Sequence, residues 1–224
     1  MFIVLMSTLF GYTYAQPLEF ENPDYEEIKK EIHDSTSALY YPAIMARMLA
    51  LDTTLTINDY RHLYYGYIFQ PQYKPYWTSD DEKKLLKYYR SEKIEEKDYD
   101  DIQQLANHSI NEFPFDLRQL NYLAYIYHLK GDEAMAKKIS YRFHAIVEAI
   151  LSTGDGRKCE TGFHVINVGH EYVILTMFEL QVKMQSLVGG CDYIGLVKDE
   201  RNIEGLFFNI SKLKEKNLES FKFK

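Results

Sequence analysis

Five residues in the last third of the chain, Asp155, His164, His170, Glu171 and Asp192, are of types that bind zinc or share acid and base roles. Imidazole titrates near neutrality, and a neighbouring carboxylate can orient it. His164 and His170 are six residues apart, which on one strand places them on the same face but too far apart for a single ion. A loop would have to fold them together. Neither His-Glu-x-x-His nor Cys-x-x-Cys occurs, so no metal and no cofactor is expected. The competing reading is that these polar residues close turns and satisfy strand ends. A second arrangement makes Cys159 a nucleophile with His164 or His170 as base and Asp192 as orienter, since a thiolate needs such neighbours. Pairing of Cys159 with Cys191 would remove that nucleophile. In an exported chain the two could form a disulfide, and in the cytosol they would be small thiols.

A third group is aromatic: Tyr64, Tyr65, Tyr67, Phe69, Tyr73, Tyr76 and Trp77. Adjacent Tyr64 and Tyr65 cannot share one helical face, and the Pro-containing stretch 70–77 carries further rings in a loop. Tyr65, Tyr73, Tyr76 and Trp77 are therefore the candidate ligand-contacting residues, because such rings join apolar area to a polar handle at low entropy cost. Packing of the helical layer onto the rest of the protein is the alternative role for them. Thr153-Gly154-Asp155-Gly156 lacks the Lys-Ser/Thr of a phosphate loop and the repeated acids of a calcium loop, and reads as a turn. Asp155 then accepts hydrogen bonds from its own backbone.

These groups need elements to hold them. From Asn22 to Leu151 the apolar residues recur at three and four positions, which is a helical period. Asn22-Pro23-Asp24 opens the first helix, with Tyr25, Ile28 and Ile32 on one face. A second runs from about Pro42 to Leu51, Thr56 caps a third, Ser79 and Glu82 form a capping box, and Asp98 opens a fifth that Phe113-Pro114 ends. Segments 116–130 and 133–151 are two helices folded back at Gly131-Asp132 as a hairpin. Ala124, Tyr127, Gly131 and Ala136 match a tetratricopeptide-like repeat, whereas Ser140 stands where an aromatic is expected. Beyond Ser152 come short runs rich in Val, Ile, Tyr and Phe over 163–168, 172–175, 178–187, 191–197 and 206–210, which read as an antiparallel meander. A helix over 170–186 competes, because Tyr172, Leu175, Phe178, Glu179 and Val182 also fit a 3.6 period. Residues 211–224 form a short helix or a charged tail. The fold class is α+β, with a tetratricopeptide-like helical layer over 16–151 and a small antiparallel sheet over 152–224 packed on it as one structural unit.

The chain of 224 residues is 46% hydrophobic and 26% charged, an ordinary globular composition that excludes intrinsic disorder and a disulfide-stapled miniprotein. Its formal charge of -7 argues against nucleic acid and anionic membranes as partners, since both need a positive field. Residues 1–15 carry no charge, and their apolar run is too short for a membrane anchor. Thr13-Tyr14-Ala15 supplies small residues at the positions a signal peptidase reads, so cleavage after Ala15 leaves Gln16 first. No stable membrane anchor remains after that cleavage.

Several segments carry a family resemblance: Asp52-Thr53-Thr54-Leu55, Leu63-Tyr64-Tyr65-Gly66-Tyr67, Thr153-Gly154-Asp155-Gly156, Phe163-His164-Val165-Ile166, His170-Glu171-Tyr172 and Cys191-Asp192-Tyr193. Together they resemble an exported Bacteroides-type protein family of unknown function. The resemblance implies an exported, soluble protein of about this length, and it implies no activity, substrate or catalytic residue. The expectation is a non-enzymatic periplasmic or secreted binding module whose aromatic segment meets an envelope protein or glycan. The alternative is an envelope hydrolase using His164, His170 and Glu171, with Asp155 as a further candidate.

Overall fold

The computed structural model describes residues 20–222 apart from 90 and 92, and side chains up to residue 219. The expected signal segment 1–15 lies outside the described residues. Among them, nine α-helices and a four-stranded sheet make an α+β fold with the helices first.

Local signals decide where the helices begin. In α1 (Tyr25–His33) the cap is Asp24, whose carboxylate accepts from the backbone N–H of Glu26 and Glu27, so the helix starts later than Asn22-Pro23 suggests. After α2 (Tyr41–Leu49) comes α3 (Ile57–Gly66), which opens with a complete capping box between Thr56 and Asp59. The box expected at Ser79 does not form. The Ser79 hydroxyl instead accepts from the Asp81 N–H, and α4 (Glu82–Tyr89) begins at Glu82 itself. Then α5 (Tyr99–Glu112) stops at Phe113-Pro114. The helices α6 (Leu117–Leu129) and α7 (Glu133–Leu151) fold back on each other through Gly131, whose φ of 78° suits glycine.

The central helix is α3. Every residue from Tyr60 to Gly66 is buried, so the rule that adjacent side chains diverge sends Tyr64 and Tyr65 into two parts of one core. Their rings meet edge to face at 5.0 Å. The Tyr65 hydroxyl donates to the carbonyls of Ala149 and His164. The Tyr64 hydroxyl accepts from the Ile166 N–H and donates to His170 Nδ1. That last pair ties α3 to the C-terminal third. We expect Tyr64→Phe to cost about 1–3 kcal/mol, because it strands a buried N–H and a buried imidazole nitrogen at once. Urea unfolding of the two proteins measures it, and an unchanged midpoint would show that the bonds contribute nothing.

Beyond α7 the chain turns at residues 153–156. A Cβ on Gly154 would stand 2.0 Å from the Thr161 carbonyl oxygen, so only glycine fits that close approach. There follow β1 (Phe163–His164), α8 (Gly169–Met177), β2 (Val182–Val188), β3 (Cys191–Leu196), β4 (Gly205–Asn209) and α9 (Ser211–Lys222). The sheet order is β1-β4-β3-β2, parallel between β1 and β4 and antiparallel elsewhere. The expected simple meander is thus corrected to a mixed sheet, and the run 172–175 is helix and not strand. Val173, Ile174 and Leu175 are all buried because α8 lies inside the protein, where a helix loses the polar stripe that marks it in sequence. One apolar core runs through both parts, from Ile28 on α1 to Phe208 on β4 and Leu213 on α9.

At the open edge, β2 is exposed along almost its whole length, including Val182, Met184, Leu187 and Val188. Its register with β3 slips between Val182 and Met184, at Lys183. A disulfide joins Cys159, in a 3-10 turn, to Cys191 at the start of β3, with 5.7 Å between the Cα atoms.

Candidate functional site

The five polar candidates are not gathered at one point. Asp155 closes its own turn, accepting from the Arg157 N–H and the Thr161 hydroxyl, and those bonds hold its carboxyl below the usual range. His164 is buried beside Tyr25, and burial lowers its pKa to about 4. His170 is buried more deeply, and desolvation brings it down to about 3. Its Nε2–H donates to the Phe115 carbonyl while Nδ1 accepts from Tyr64, and its ring stacks on Phe113 at 5.7 Å. A neutral imidazole with both nitrogens engaged is a connector, with no lone pair left for proton transfer. Among the described residues no three His, Cys, Asp or Glu side chains gather closely enough to hold a metal ion.

Glu171 is different. It stands in the first turn of α8, wholly buried, and its carboxyl shares a hydrogen bond with that of Asp192. It faces Asp192 on β3, whose register neighbours are Leu187 on β2 and the fully buried Phe208 on β4, so Asp192 lies on the inner face of the sheet. Burial, and then the Asp192 carboxylate, push Glu171 up to about 9. Glu171 is therefore protonated at neutral pH. Gln185 donates to Asp192 Oδ2 at 3.1 Å and accepts from the Tyr172 hydroxyl. After burial, the two carboxyls are what raise the hydroxyls of Tyr76 and Tyr172.

On the other side of α8 lies a cleft of about 80 Å³. The rings of Trp77 and Phe113, 5.0 Å apart, form one wall, and the first turns of α4, α6 and α8 form the rest. Asn167 fixes the loop to α8: its Nδ2 donates to the Trp77 carbonyl and its Oδ1 accepts from the Gly169 N–H. Arg118 and Glu82 pair across the rim. Gln119 also lines the cleft, 2% exposed, with its amide nitrogen on the Tyr89 hydroxyl and its Oε1 lacking a partner. Such a space admits a small planar or polar group stacked on an aromatic wall.

The aromatic candidates separate accordingly. Tyr65, expected to contact a ligand, is fully buried in the core and offers it no face. Tyr73 is half-buried, with its hydroxyl on the Ile166 carbonyl. Tyr76 is 53% exposed beside the carboxyl pair, and Trp77 lines the cleft. The contribution of 116–119 was missed in the sequence, where Asp116 shows only as a helix start; its carboxylate does cap Gln119.

A family model described as Domain of unknown function (DUF4919) matches residues 26–219. No curated protein and no solved structure matches the chain.

Proposed function

We propose a function for a chain that belongs to the DUF4919 family: it is an exported, non-enzymatic binding module of the cell envelope that takes a glycan into the Trp77 cleft. The observation that carries this reading is the cleft itself, an aromatic wall facing a buried amide oxygen with no partner. Sugar rings present apolar faces to aromatic walls and hydroxyl or amide N–H groups to such an acceptor. Export is supported by the uncharged, apolar leader and by the Cys159–Cys191 disulfide, which persists in oxidising compartments. Nothing in the geometry points to hydrolysis through His164 and His170: both nitrogens of His170 are bonded within the core, and His164 is buried with Nδ1 beside the Tyr25 hydroxyl.

Trp77 is the single tryptophan of the chain, so its emission reports the cleft directly. Titration of the mature protein with soluble peptidoglycan and lipopolysaccharide saccharides should give a saturable change with at least one of them. Trp77→Phe should weaken that binding roughly tenfold, as read by calorimetry, on loss of a hot-spot ring. Absence of saturation with every saccharide would overturn the glycan reading. A second reading, a protein partner, is favoured by the exposed apolar edge strand β2, to which an extended segment can add as a further strand. A photocrosslinker at Leu187 would then trap one protein that the same group at exposed Leu49 on α2 does not.

A further inference from the structure

The outer face of the sheet carries a cleft that the Trp77 reading does not use. Alternation along β3 sends Asp192, Ile194 and Leu196 inward, and Tyr193 and Gly195 to the outer face, where Tyr193 is partly exposed. Gly195 stands opposite Gly205 on β4. A Cβ on Gly205 would lie 2.4 Å from the Tyr193 ring, and one on Gly195 would lie 2.8 Å from Met184 Cγ. The two glycines therefore let a ring and a thioether lie across bare backbone, where a larger residue would lift them off the sheet. Phe207 braces the Tyr193 ring from β4, with 4.8 Å between centroids. Over this floor opens a cleft of about 360 Å³, bounded by Lys183 of β2 and by the loop that joins β3 to β4. Its volume falls within the range of small-molecule sites, roughly 300–1,000 Å³.

The loop is fastened before any ligand arrives. The Arg201 guanidinium donates to the carbonyls of Phe178 and Glu179 and to the Asp199 carboxylate, and the neighbouring Asn202 takes a φ of 53°. Ile203 packs against the core. Lys198, Asn202 and Glu204 are thus presented from a held segment, which lowers the ordering cost of binding. Among the described residues neither Lys183 nor Lys198 forms an ion pair.

We propose that this cleft binds a small aromatic carboxylate, its ring laid against Tyr193 and Met184 and its anionic group between Lys183 and Lys198. The lining selects this class. A tyrosine ring and a thioether favour an aromatic partner, through offset stacking and sulfur–ring contact. Two unpaired ammonium groups favour an anion. Glu204 on the same rim offsets one of them, so the lining carries a net charge of one positive unit. That balance suits a monoanionic carboxylate better than a dianionic phosphate.

The test is calorimetry of the full mature protein with 1-naphthylacetate at neutral pH and low salt. Saturable binding with a Kd on the order of 1 mM is expected for a ligand of this size. 1-Naphthylacetamide keeps the shape and loses the charge, and should bind about fivefold more weakly. Cyclohexylacetate keeps the charge and loses the π face, and should weaken by a similar factor. The double variant Lys183→Gln, Lys198→Gln changes two exposed side chains that folding does not need. It should bring the acid down to the affinity of the amide and leave the amide unchanged. Tyr193→Leu should weaken both naphthyl probes and spare cyclohexylacetate. No saturation by 1-naphthylacetate up to about 20 mM, a ceiling set by affinity arithmetic, would overturn the site. So would equal affinity for acid and amide, an acid affinity unchanged in the lysine variant, or tighter binding of 1-naphthyl phosphate than of the carboxylate. The lysine variant locates this ligand and Trp77 emission locates the other, so failure here leaves the glycan reading standing, and failure there leaves this one.

Discussion

Conformational stability is expected to peak near pH 6.5 and to fall on both sides, with Glu171→Gln removing the alkaline fall and steepening the acid one. Glu171 has a folded pKa of about 9 against an ordinary value of 4.5. The folded state therefore holds a proton that the unfolded chain releases. The stability tied to that proton is complete below pH 4.5 and is lost as pH rises to about 9. The two buried histidines act in the opposite sense. His164 and His170, lowered by burial to about 4 and 3 from 6.5, contribute stability that is present above pH 6.5 and is lost as pH falls toward those values. Between pH 4.5 and 6.5 two histidine arms oppose one glutamate arm, and stability rises with pH. Above 6.5 only Glu171 titrates, so stability falls by about 1.4 kcal/mol per pH unit, or roughly 3 kcal/mol by pH 9. Asp116, also raised by burial, acts in the same sense as Glu171 at the acid end. Urea midpoints taken from pH 5 to pH 9 read the whole curve. Glu171→Gln should flatten the alkaline arm and steepen the acid arm, since the term opposing the histidines has gone. A native protein equally stable at pH 6.5 and 9 would show that Glu171 is ionised in the folded state.

Reduction of the disulfide is expected to cost about 3.5 kcal/mol. Cys159 and Cys191 are 32 residues apart, and closing a loop of that length removes about this much chain entropy from the unfolded state. For a protein of this size the change lowers the melting temperature by about 10 °C. The bond anchors the 159–161 turn to the β2–β3 hairpin, so its loss should be felt first at the sheet edge. Thermal unfolding with and without reductant measures the cost. The Cys159→Ala, Cys191→Ala double variant should melt at the reduced temperature and ignore reductant. A difference of under about 1 kcal/mol would mean that the reduced unfolded chain keeps those segments together.

Most of the helical layer was legible in sequence because its helices are amphipathic and begin at side-chain caps, as at Thr56, Asp116 and Asp132. Such signals are local. What escaped reading depends on burial from all sides. In α8 the apolar run 173–175 is buried without a break, which hides the helix period, and on α3 both Tyr64 and Tyr65 point inward because the helix is buried on every side from Tyr60 onward. The parallel pairing of β1 with β4 was likewise hidden, since a two-residue strand carries no alternation. The candidate sites follow the same division. Glu171 and Trp77 stood out by residue type, yet what surrounds them comes from distant segments. Asp192 meets Glu171 from β3, and Gln119 reaches the Trp77 cleft from α6, contacts that no spacing along the chain encodes.

The open edge of the sheet has a consequence for how these molecules behave when crowded. An unpaired strand is a standing template, and two chains meeting edge to edge can extend one sheet into the next. β2 offers such a template with apolar side chains on both faces. The slip in register at Lys183 interrupts it. A kinked backbone and a charge at that position shorten the stretch that an identical neighbour can match, and burying the ammonium of each added copy opposes growth. The chain thus keeps an edge able to accept a foreign strand while braking its own propagation into fibres.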